Sequence, residues 1–466
     1  MDYHLPHLFA ALSAAVALVS PRSAYARRYG GSVELDHPDG FYKSGDTVHC
    51  KVLLTKDGHA LKGVRARLVL KWELERVRAE EFETTGEPVE FTYVSDKPGW
   101  VYFGFEVLGK DGEALSGPDV QKLSRKPTIV TEIGALFDAD KIATVVRDPA
   151  DFDEFWAKRM DEVHAAPLKP ELTELDSKVE GVKLFAVSIP VVRGITASGY
   201  LAYPADARPK SLPAQISFQS MTHGDVPVKE AVNPAKSGAL AFAVTWHGLP
   251  VGLDDKFYKT EIPKCFKGGA RNIGDRDNWE YADVFLRVIR ELEFLKGRPE
   301  WDGRTLITYG GSLGGILSAF AAAMDKDVSL AVISVPSFCE CNAYEAGRSP
   351  HGVYRRNVPV EKLKRDPGIA EGGFYYDAVN FGRRLTCETY VCTGFTDESC
   401  CPSNVFAFFN AIPATTKKTM TTNPRTGHFG TTKEIKGDSR IAEIFRGTTI
   451  GEQPPAAAGH ACGDRQ

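Results

Sequence analysis

Residues 305–325 read TLITYGGSLGGILSAFAAAMD, and this stretch decides the fold. A β-rich run ends at Tyr309, the letters GGSLG follow at positions 310–314, and an alanine-rich helical run comes directly after them. A Gly-x-Ser-x-Gly motif between a strand and a helix is typical of the sharp turn that presents the nucleophile of an α/β-hydrolase. The helix N-terminus behind the serine supplies amide donors. The stretch therefore predicts Ser312 as a nucleophile; the alternative is an ordinary glycine-rich turn.

The residues after Ser312 supply one candidate base and one candidate acid. A serine hydroxyl needs a base and a group that orients the base, and in α/β-hydrolases the chain order is serine, acid, histidine. Three histidines follow Ser312, and of these only His428 lies in a loop directly after a predicted strand, within NPRTGHFG. The β-run TYVCTGFTD ends at Asp397, with Glu398 as the adjacent competitor. We predict Asp397 as the acid and His428 as the base; the alternative for His428 is a solvated loop histidine.

Two backbone amides are expected to bind the oxyanion that forms during acyl transfer. One is the N–H of Leu313, directly after the nucleophile, and the other comes from the loop after an early strand. The run AQISFQSMTHGD at 214–225 places Ser220 or Met221 in that loop, and we predict Met221. His223 is close by and either contacts the substrate or caps the loop.

The chain divides by hydropathy pattern into an all-β part and an α/β part. In GVRARLVLKWEL at 63–74, apolar and charged residues alternate with period two, which is typical of a half-buried strand. Several such runs predict an immunoglobulin-like β-sandwich over residues 30–118, followed by a linker over 119–148. Strands and helices then alternate over 149–450, which predicts the mainly parallel, doubly wound sheet of an α/β-hydrolase. The polar tail 451–466 is predicted to be disordered.

Composition and the N-terminus narrow the choice of compartment and partners. The 466 residues carry a formal net charge of -4 and no basic footprint, so nucleic acid is not an expected partner. No apolar run reaches the roughly 18 residues that span a bilayer. The run LFAALSAAVALVS at 8–20 and the Ala-Tyr-Ala pattern at 24–26 predict a signal peptide over residues 1–26 and a periplasmic or secreted protein. The alternative is a frayed apolar N-terminus.

The cysteines bear on export and on metal binding. Nine cysteines fit an exported protein without establishing one. They form no Cys-x-x-Cys pair, and no histidine stands near them at zinc spacing, so we expect no metal site. Most of them are expected to be buried thiols, and one or two disulfides stay open.

Three blocks of sequence carry a resemblance to a known family. They read RDPADFDEFWAKRMDEV at 147–163, RELEFLKGRPEWDGRTLITYGGSLGGILSAFAAAMD at 290–325 and YYDAVNFGRRLTCETYVCTGFTDESCCPSNVFAFFNAIP at 375–413. With their order and spacing, residues 146–445 resemble the acetyl xylan esterase / cephalosporin C deacetylase family of α/β-hydrolases. The resemblance implies a serine esterase that removes acetyl groups from sugar hydroxyls without a metal or cofactor. The leading β part is similar to the extra domain of some exported bacterial relatives.

The chain departs from this family at three places. Leu313 stands where the family has Gln, and His247-Gly248-Leu249 stand where it has Arg-Gly-Gln. Phe429 stands where a Glu usually follows the histidine. These changes leave the acyl and sugar preference open more than the reaction type, and they make His247 a second candidate for the substrate pocket beside His223.

The sequence supports one leading function and keeps others open. An acylated carbohydrate, or another small ester, is the expected substrate, and a homo-oligomer stays open. One alternative is a broader carboxylesterase or a peptidase, because one fold hosts many activities. Another is a non-catalytic carbohydrate-binding protein with a decayed hydrolase domain, against which the intact Ser312, Asp397 and His428 argue.

Overall fold

The computed structural model describes residues 28–117, 120, 126–430 and 436–447. The predicted signal peptide, 1–26, and the predicted disordered tail, 451–466, lie outside the described residues. Among the described residues, no helix is both long enough and apolar enough to cross a membrane.

The first part of the chain is a sandwich of two sheets. One sheet has the strand order β1-β3-β4, with β7 on the other side of β3, and the second has the order β2-β9-β8-β5-β6. Alternating apolar residues such as Leu68, Phe103 and Val52 face each other in one buried core. The strands are β1 Tyr29–Leu35, β2 Phe41–Tyr42, β3 Thr47–Lys56, β4 His59–Ala60, β5 Lys62–Trp72, β6 Glu75–Thr85, β7 Val89–Val94, β8 Gly99–Val107 and β9 Ile129–Phe137.

Strand β9 corrects the prediction of a linker over residues 119–148. It pairs antiparallel with β8 and parallel with β2, so the β region extends to Phe137. Every residue of β9 is buried, because one face lies in the sandwich core and the other packs against the α/β part. A strand buried on both faces has no alternation of apolar and polar residues, and the expected period-two signal is therefore missing.

The second part of the chain is built on one sheet of nine strands. Their order is β10-β11-β12-β14-β13-β15-β16-β17-β18, antiparallel as far as β14 and parallel from there on. The predicted mainly parallel sheet is confirmed; β10 is the strand that the sequence analysis missed. The strands are β10 Glu171–Leu175, β11 Val182–Pro190, β12 Thr196–Pro204, β13 Leu212–Phe218, β14 Leu240–Val244, β15 Trp301–Gly311, β16 Leu330–Ser334, β17 Glu388–Gly394 and β18 Lys418–Asn423.

Helices cover both faces of this sheet. On one face α1, α4, α5 and α9 bury a large aromatic and aliphatic core, and on the other α2 and α11 cover smaller clusters. The helices are α1 Phe152–Ala165, α2 Lys229–Lys236, α3 Asp255–Cys265, α4 Ala282–Lys296, α5 Leu313–Met324, α6 Gly352–Asn357, α7 Val360–Arg365, α8 Gly368–Gly373, α9 Ala378–Gly382, α10 Pro402–Ala411 and α11 Lys436–Phe445.

The described cysteines are free thiols, most of them buried. Cys462, the ninth, lies outside the described residues. The prediction of buried thiols therefore holds for the described part of the chain, where no disulfide forms. The free cysteines are Cys50, Cys265, Cys339, Cys341, Cys387, Cys392, Cys400 and Cys401.

The parallel strands bring the candidate site together at one edge of the sheet. Strand β15 ends directly before Ser312, β17 ends three residues before Asp397, and β18 ends five residues before His428. The loop with Met221 follows β13. Since the carboxyl ends of parallel strands meet at the same edge, four segments far apart in sequence become neighbours there.

Candidate active site

Ser312 occupies a strained turn between β15 and α5. Its backbone angles are φ 56° and ψ -116°, a conformation that costs a residue with a side chain on the order of 1–3 kcal/mol. Four backbone hydrogen bonds of Ser312 hold the turn, one of them from the Ile316 N–H to the Ser312 carbonyl at 3.2 Å. The Ser312 N–H donates to the Ser334 carbonyl at 2.9 Å, and the Ser312 carbonyl accepts from Gly315 and Ser337, both at 3.0 Å. The serine is therefore fixed where its hydroxyl points out of the sheet edge.

Two glycines make this turn sterically possible. A Cβ on Gly310 would lie 2.3 Å from the carbonyl oxygen of Gly314. A Cβ on Gly314 would lie 2.1 Å from the carbonyl oxygen of Phe218, at the end of β13. Neither backbone oxygen can move without breaking the strand or the helix that carries it. The small residues two positions on either side of Ser312 are therefore a packing requirement of the turn.

His428 and Asp397 form a buried, hydrogen-bonded pair. The Nδ1 atom of His428 lies 2.8 Å from Oδ2 of Asp397, a residue that is 1% exposed. The other carboxylate oxygen, Oδ1, accepts from the backbone N–H groups of Ser399 at 2.7 Å and Cys400 at 3.0 Å. These bonds fix the carboxylate, which in turn holds the imidazole in one orientation.

The environment of His428 favours its charged form. Burial by itself lowers the pKa of the imidazole, but the negative charge of Asp397, with help from contact with Cys400, outweighs burial and raises that pKa above the usual value of 6.5. This is the electrostatic arrangement that stabilises an imidazolium formed during proton transfer from a serine.

A cavity of about 400 Å³ joins Ser312 to His428. The predicted Met221 and His223 also line it, so the structure brings together four of the predicted residues, with Asp397 directly behind His428. The other lining residues are Ser220, Thr222, Phe266, Gly268, Ser337, His351, Gly352, Val353, Arg356, Ser399, Cys400 and Phe429.

Ser337 and Cys400 are site residues that the sequence analysis missed. The hydroxyl oxygens of Ser312 and Ser337 lie 3.2 Å apart, and the Ser337 hydroxyl lies 3.7 Å from the sulfur of Cys400. Among the described residues, one group could hold a metal ion, and it consists of Asp397, Cys400 and His428. Each offers one ligand atom, and these three atoms lie within 4.8 Å of one another. The position of Ser337 just after β16, at the same sheet edge, is the signal that could have found it.

The predicted oxyanion amides lie on the two segments that meet at the nucleophile. Leu313 is the first residue of α5, so its N–H has no acceptor within the helix. In the loop after β13, the Thr222 N–H donates to the Ser220 carbonyl at 2.7 Å and is engaged there. The Ser220 hydroxyl donates to the Gly311 carbonyl at 2.8 Å, which ties this loop to the turn at Ser312. The assignment of Leu313 and Met221 stays a prediction.

His247 does not line this cavity, contrary to its prediction as a pocket residue. The residue is 4% exposed, Nε2 lies 3.2 Å from the Gly224 carbonyl oxygen, and Nδ1 accepts from the Leu249 N–H at 3.1 Å. Burial lowers the pKa of His247 to about 4, so the ring is neutral at neutral pH. Both nitrogens are used to join two loops, and His247 is a structural residue of the loop after β14.

A second, larger cleft of about 700 Å³ adjoins the first. The two share Ser220, Thr222 and His223. The wall of the second cleft includes three carboxyl groups and two hydroxyl groups, those of Asp225, Glu230, Asp255, Tyr309 and Ser334. Such a wall suits a ligand rich in hydroxyl donors.

Comparison with known proteins shows the family of the chain. Residues 139–436 match the family model of acetyl xylan esterase (AXE1), which is more than half of the chain. The chain belongs to the acetyl xylan esterase family. The match begins two residues after β9 ends, so the family region is the α/β part and the β sandwich precedes it. The resemblance stated from the sequence is confirmed.

Individual relatives of the acetyl xylan esterase family agree in fold. The chain is 28% identical over 295 residues to the acetyl esterase Axe7A of Xylanibacter ruminicola. This match covers 61% of the chain and 65% of that relative, slightly less than two thirds of its length. The acetyl xylan esterase from Paenibacillus sp. R4 superposes with a TM-score of 0.57 at 21% identity, over 66% of this chain and 98% of the other. Acetyl xylan esterase 1 from Thermoanaerobacterium sp. JW/SL YS485 gives 0.53 at 22% identity, over 66% and 96%. The predicted fold, an α/β-hydrolase sheet behind an all-β region, is confirmed.

Proposed function

We propose that this family member hydrolyses short acyl esters of carbohydrates, acetyl esters above all, through Ser312, His428 and Asp397. The observation that carries the proposal is the hydrogen bond between His428 and the buried Asp397, beside a cavity that His428 shares with the strained Ser312. Membership of the acetyl xylan esterase family supports the same reaction class.

The reaction proceeds in two halves. His428 takes the hydroxyl proton of Ser312 while the serine oxygen bonds to the ester carbonyl carbon, and the N–H groups of Leu313 and Met221 bind the oxyanion. The carbon–oxygen bond to the sugar then breaks, His428 returns the proton to the sugar oxygen, and an acyl-serine remains. In the second half water attacks the acyl-serine by the same proton transfers, which releases the carboxylic acid and restores Ser312.

The two clefts suit the two sides of such an ester. The first, with Phe266 and Val353 on its wall, is small and accommodates a short acyl group. The second, with Asp225 and Glu230 on its wall, offers acceptors for sugar hydroxyls, and it begins where the Ser220–His223 loop passes the nucleophile. We therefore assign the acyl group to the first cleft and the carbohydrate to the second.

The first test is the turnover of p-nitrophenyl acetate and the release of acetate from acetylated xylooligosaccharides. Ser312→Ala is expected to lower kcat by at least about a thousandfold, because no other hydroxyl occupies the strained turn. Ser237→Ala removes an exposed hydroxyl at the end of α2, and it should keep the wild-type rate. Mass spectrometry of the quenched enzyme should find one added acetyl group on Ser312.

Three results would redirect the proposal. Turnover at the wild-type rate in Ser312→Ala would show that Ser312 is not the nucleophile. Cleavage of peptides but not of acetylated xylan would favour a peptidase. Binding of xylan without any turnover would favour a non-catalytic carbohydrate-binding protein.

We also propose that the protein is exported and loses residues 1–26. The support is the apolar run at 8–20 with the small-residue pattern at 24–26. N-terminal sequencing of the protein recovered from the periplasm or the medium should begin at Arg27. Recovery of the intact N-terminus from the cytoplasm would contradict this proposal.

A further inference from the structure

The loop that carries Asp397 is held by residues of the β region. On one side of Asp397, the indole N–H of Trp100 donates to the carbonyl of Phe395 at 2.7 Å. Trp100 lies on β8 and is fully buried. It points away from the sandwich core into a mixed apolar cluster with Phe395 and Phe406 of the α/β part. A buried indole N–H normally finds one acceptor, and here that acceptor belongs to the acid loop.

Two lysines of the β region hold the other side of the same loop. The ammonium of Lys71 lies 2.9 Å from the carboxylate of Glu398, and the ammonium of Lys126 lies 3.2 Å from it. Lys126 also donates to the Thr396 carbonyl at 3.0 Å. Burial raises the pKa of Glu398, but the two ammonium groups outweigh burial and hold that pKa below its usual range. The residues before and after Asp397 are thus each bonded to the β region.

Strand β9 reaches both the acid loop and the histidine loop. The N–H of Gly134 donates to the Pro424 carbonyl at 2.9 Å, four residues before His428. A Cβ on Gly134 would lie 1.9 Å from the Phe395 carbonyl oxygen, so the backbones of the two parts are in direct contact. Arg425 in turn donates to the Val33 carbonyl at 3.0 Å.

The two loops are also bonded to each other. The Phe395 N–H donates to the carbonyl of Asn423 at 3.0 Å, and the Thr396 N–H donates to the carbonyl of Thr426 at 3.1 Å. A displacement of one loop therefore displaces the other. A misplacement of about 1 Å can cost on the order of a hundredfold in rate, because proton transfer requires near-ideal geometry.

We propose that the β region positions the catalytic acid and base, with Trp100, Lys71 and Lys126 as positioning residues for Asp397. This inference rests on the proposed function of Asp397 and His428. In it the β region is part of the catalytic apparatus, because Trp100 and Lys126 bond the backbone before Asp397, and the two lysines bond the Glu398 side chain directly after it.

The test uses the full chain and two kinds of variant. Trp100→Phe keeps a buried aromatic ring and removes the N–H donor, and Lys71→Met with Lys126→Met removes both cations. Arg67→Met is the matched control: Arg67 lies on β5 like Lys71 and is also ion-paired, but its partners, Glu81 and Glu106, belong to the β region. Each variant is measured for kcat, KM, pH profile and thermal midpoint.

The expected result is a fall in kcat of about tenfold or more for both positioning variants, with KM within twofold of wild type. The acidic limb of the kcat profile should move to lower pH, because a displaced Asp397 supports the imidazolium less. Arg67→Met should leave kcat and pH profile at wild-type values. The positioning variants could instead have a lower thermal midpoint but the kcat and pH profile of the wild type. In that case the β region only packs against the α/β part, and the inference is wrong.

A second measurement keeps this test independent of turnover. The proton between His428 Nδ1 and Asp397 gives a low-field proton resonance that His428→Gln should remove. In the positioning variants this resonance should shift or broaden, and in Arg67→Met it should not. If wild-type enzyme shows no Ser312-dependent hydrolysis, the proposed function fails; an unchanged resonance in Trp100→Phe and in the double lysine variant overturns the positioning role in either case.

Discussion

Asp397 divides its hydrogen bonds between its two oxygens. Oδ2 faces His428, while Oδ1 takes two backbone N–H groups from its own turn. The residue therefore has one oxygen for the imidazole and one for its own fixation. Its charge raises the pKa of His428, and its orientation keeps the second ring nitrogen, Nε2, directed away from the carboxylate.

Replacement of Asp397 by asparagine removes the negative charge and keeps the shape of the side chain. Asp397→Asn is expected to lower kcat by on the order of 10³–10⁴, because an amide favours the wrong tautomer of the imidazole. A histidine acts as a base only when neutral, so a raised pKa limits activity on the acidic side. Without the carboxylate charge the pKa of His428 falls, and the acidic limb of the remaining activity moves to lower pH. The measurement is kcat/KM against pH.

The control for this prediction is Asp366→Asn, an exposed carboxylate after α7. It should keep the wild-type rate and profile. An Asp397→Asn enzyme within tenfold of wild type, or with an unmoved acidic limb, would contradict the role of Asp397.

The site residues differ in how well the sequence alone could find them. Chain order and strand ends restrict the choice to very few residues, which is why the sequence alone selects Ser312, Asp397 and His428 as candidates. Cys400 could not be selected in this way, because its relevance depends on how the loop after β17 folds next to His428, whereas the position of Ser337 just after β16 was a usable signal. His247 was predicted wrongly as a pocket residue, since its neighbourhood in sequence does not reveal that both ring nitrogens are occupied by backbone groups.

At the scale of elements, the turn between β15 and α5 depends on the end of β13. Gly314 lies against the carbonyl of Phe218, so helix α5 begins in contact with a strand one position away in the sheet. The turn is thus fixed from two sides. Its strain is balanced by the packing of the fully buried first turns of α5.

Gly314→Ala is expected to destabilise the protein by about 1–3 kcal/mol through overpacking, because the new methyl group meets a backbone oxygen. The midpoint of thermal unfolding should fall by several degrees. Gly297→Ala is the matched control. Gly297 ends α4 in a right-handed helical conformation, and a Cβ there makes only ordinary contacts, at 3.4 Å or more. An equal loss in both variants would contradict the packing requirement.

Element prediction worked where one face of a strand or helix meets water. Strand β5 alternates between buried Leu68 and partly exposed Lys71, and its pattern was evident from sequence. Strand β9 is buried on both faces and was mistaken for a linker. The short helices α6 to α9 were also missed, because each has only five or six residues and lacks the repeated turns that make helical periodicity visible.

At the scale of the whole molecule, the two parts share an apolar cluster. Trp100 and Leu136 of the β region pack with Phe395 and Phe406 of the α/β part, and all four are buried. Glu73, also buried, accepts from the backbone N–H of Trp100 at 2.8 Å and from the Ser403 hydroxyl at 2.6 Å. This interface has the composition of a core, so neither part ends at a solvated surface there.

Calorimetry of the full chain should therefore give one unfolding transition. Leu136→Ala is expected to lower the midpoint of that whole transition, since loss of a buried leucine costs about 2–5 kcal/mol. Val77→Ala, at an exposed position on strand β6 of the same sheet, should change it little. Two separate transitions in the wild-type protein would contradict the shared core.

The missing side chain of Gly134 has a consequence for engineering by recombination. Because its backbone touches Phe395 and Pro424 directly, the fit between the two parts depends on the course of both loops. A chimera that joins this β region to the catalytic part of another protein would have to keep residues 395–398 and 423–425 of this chain. Crossover points chosen only at the boundary near residue 138 should give insoluble or inactive hybrids. The β region can therefore be exchanged only together with these two loops, and not as a separate module.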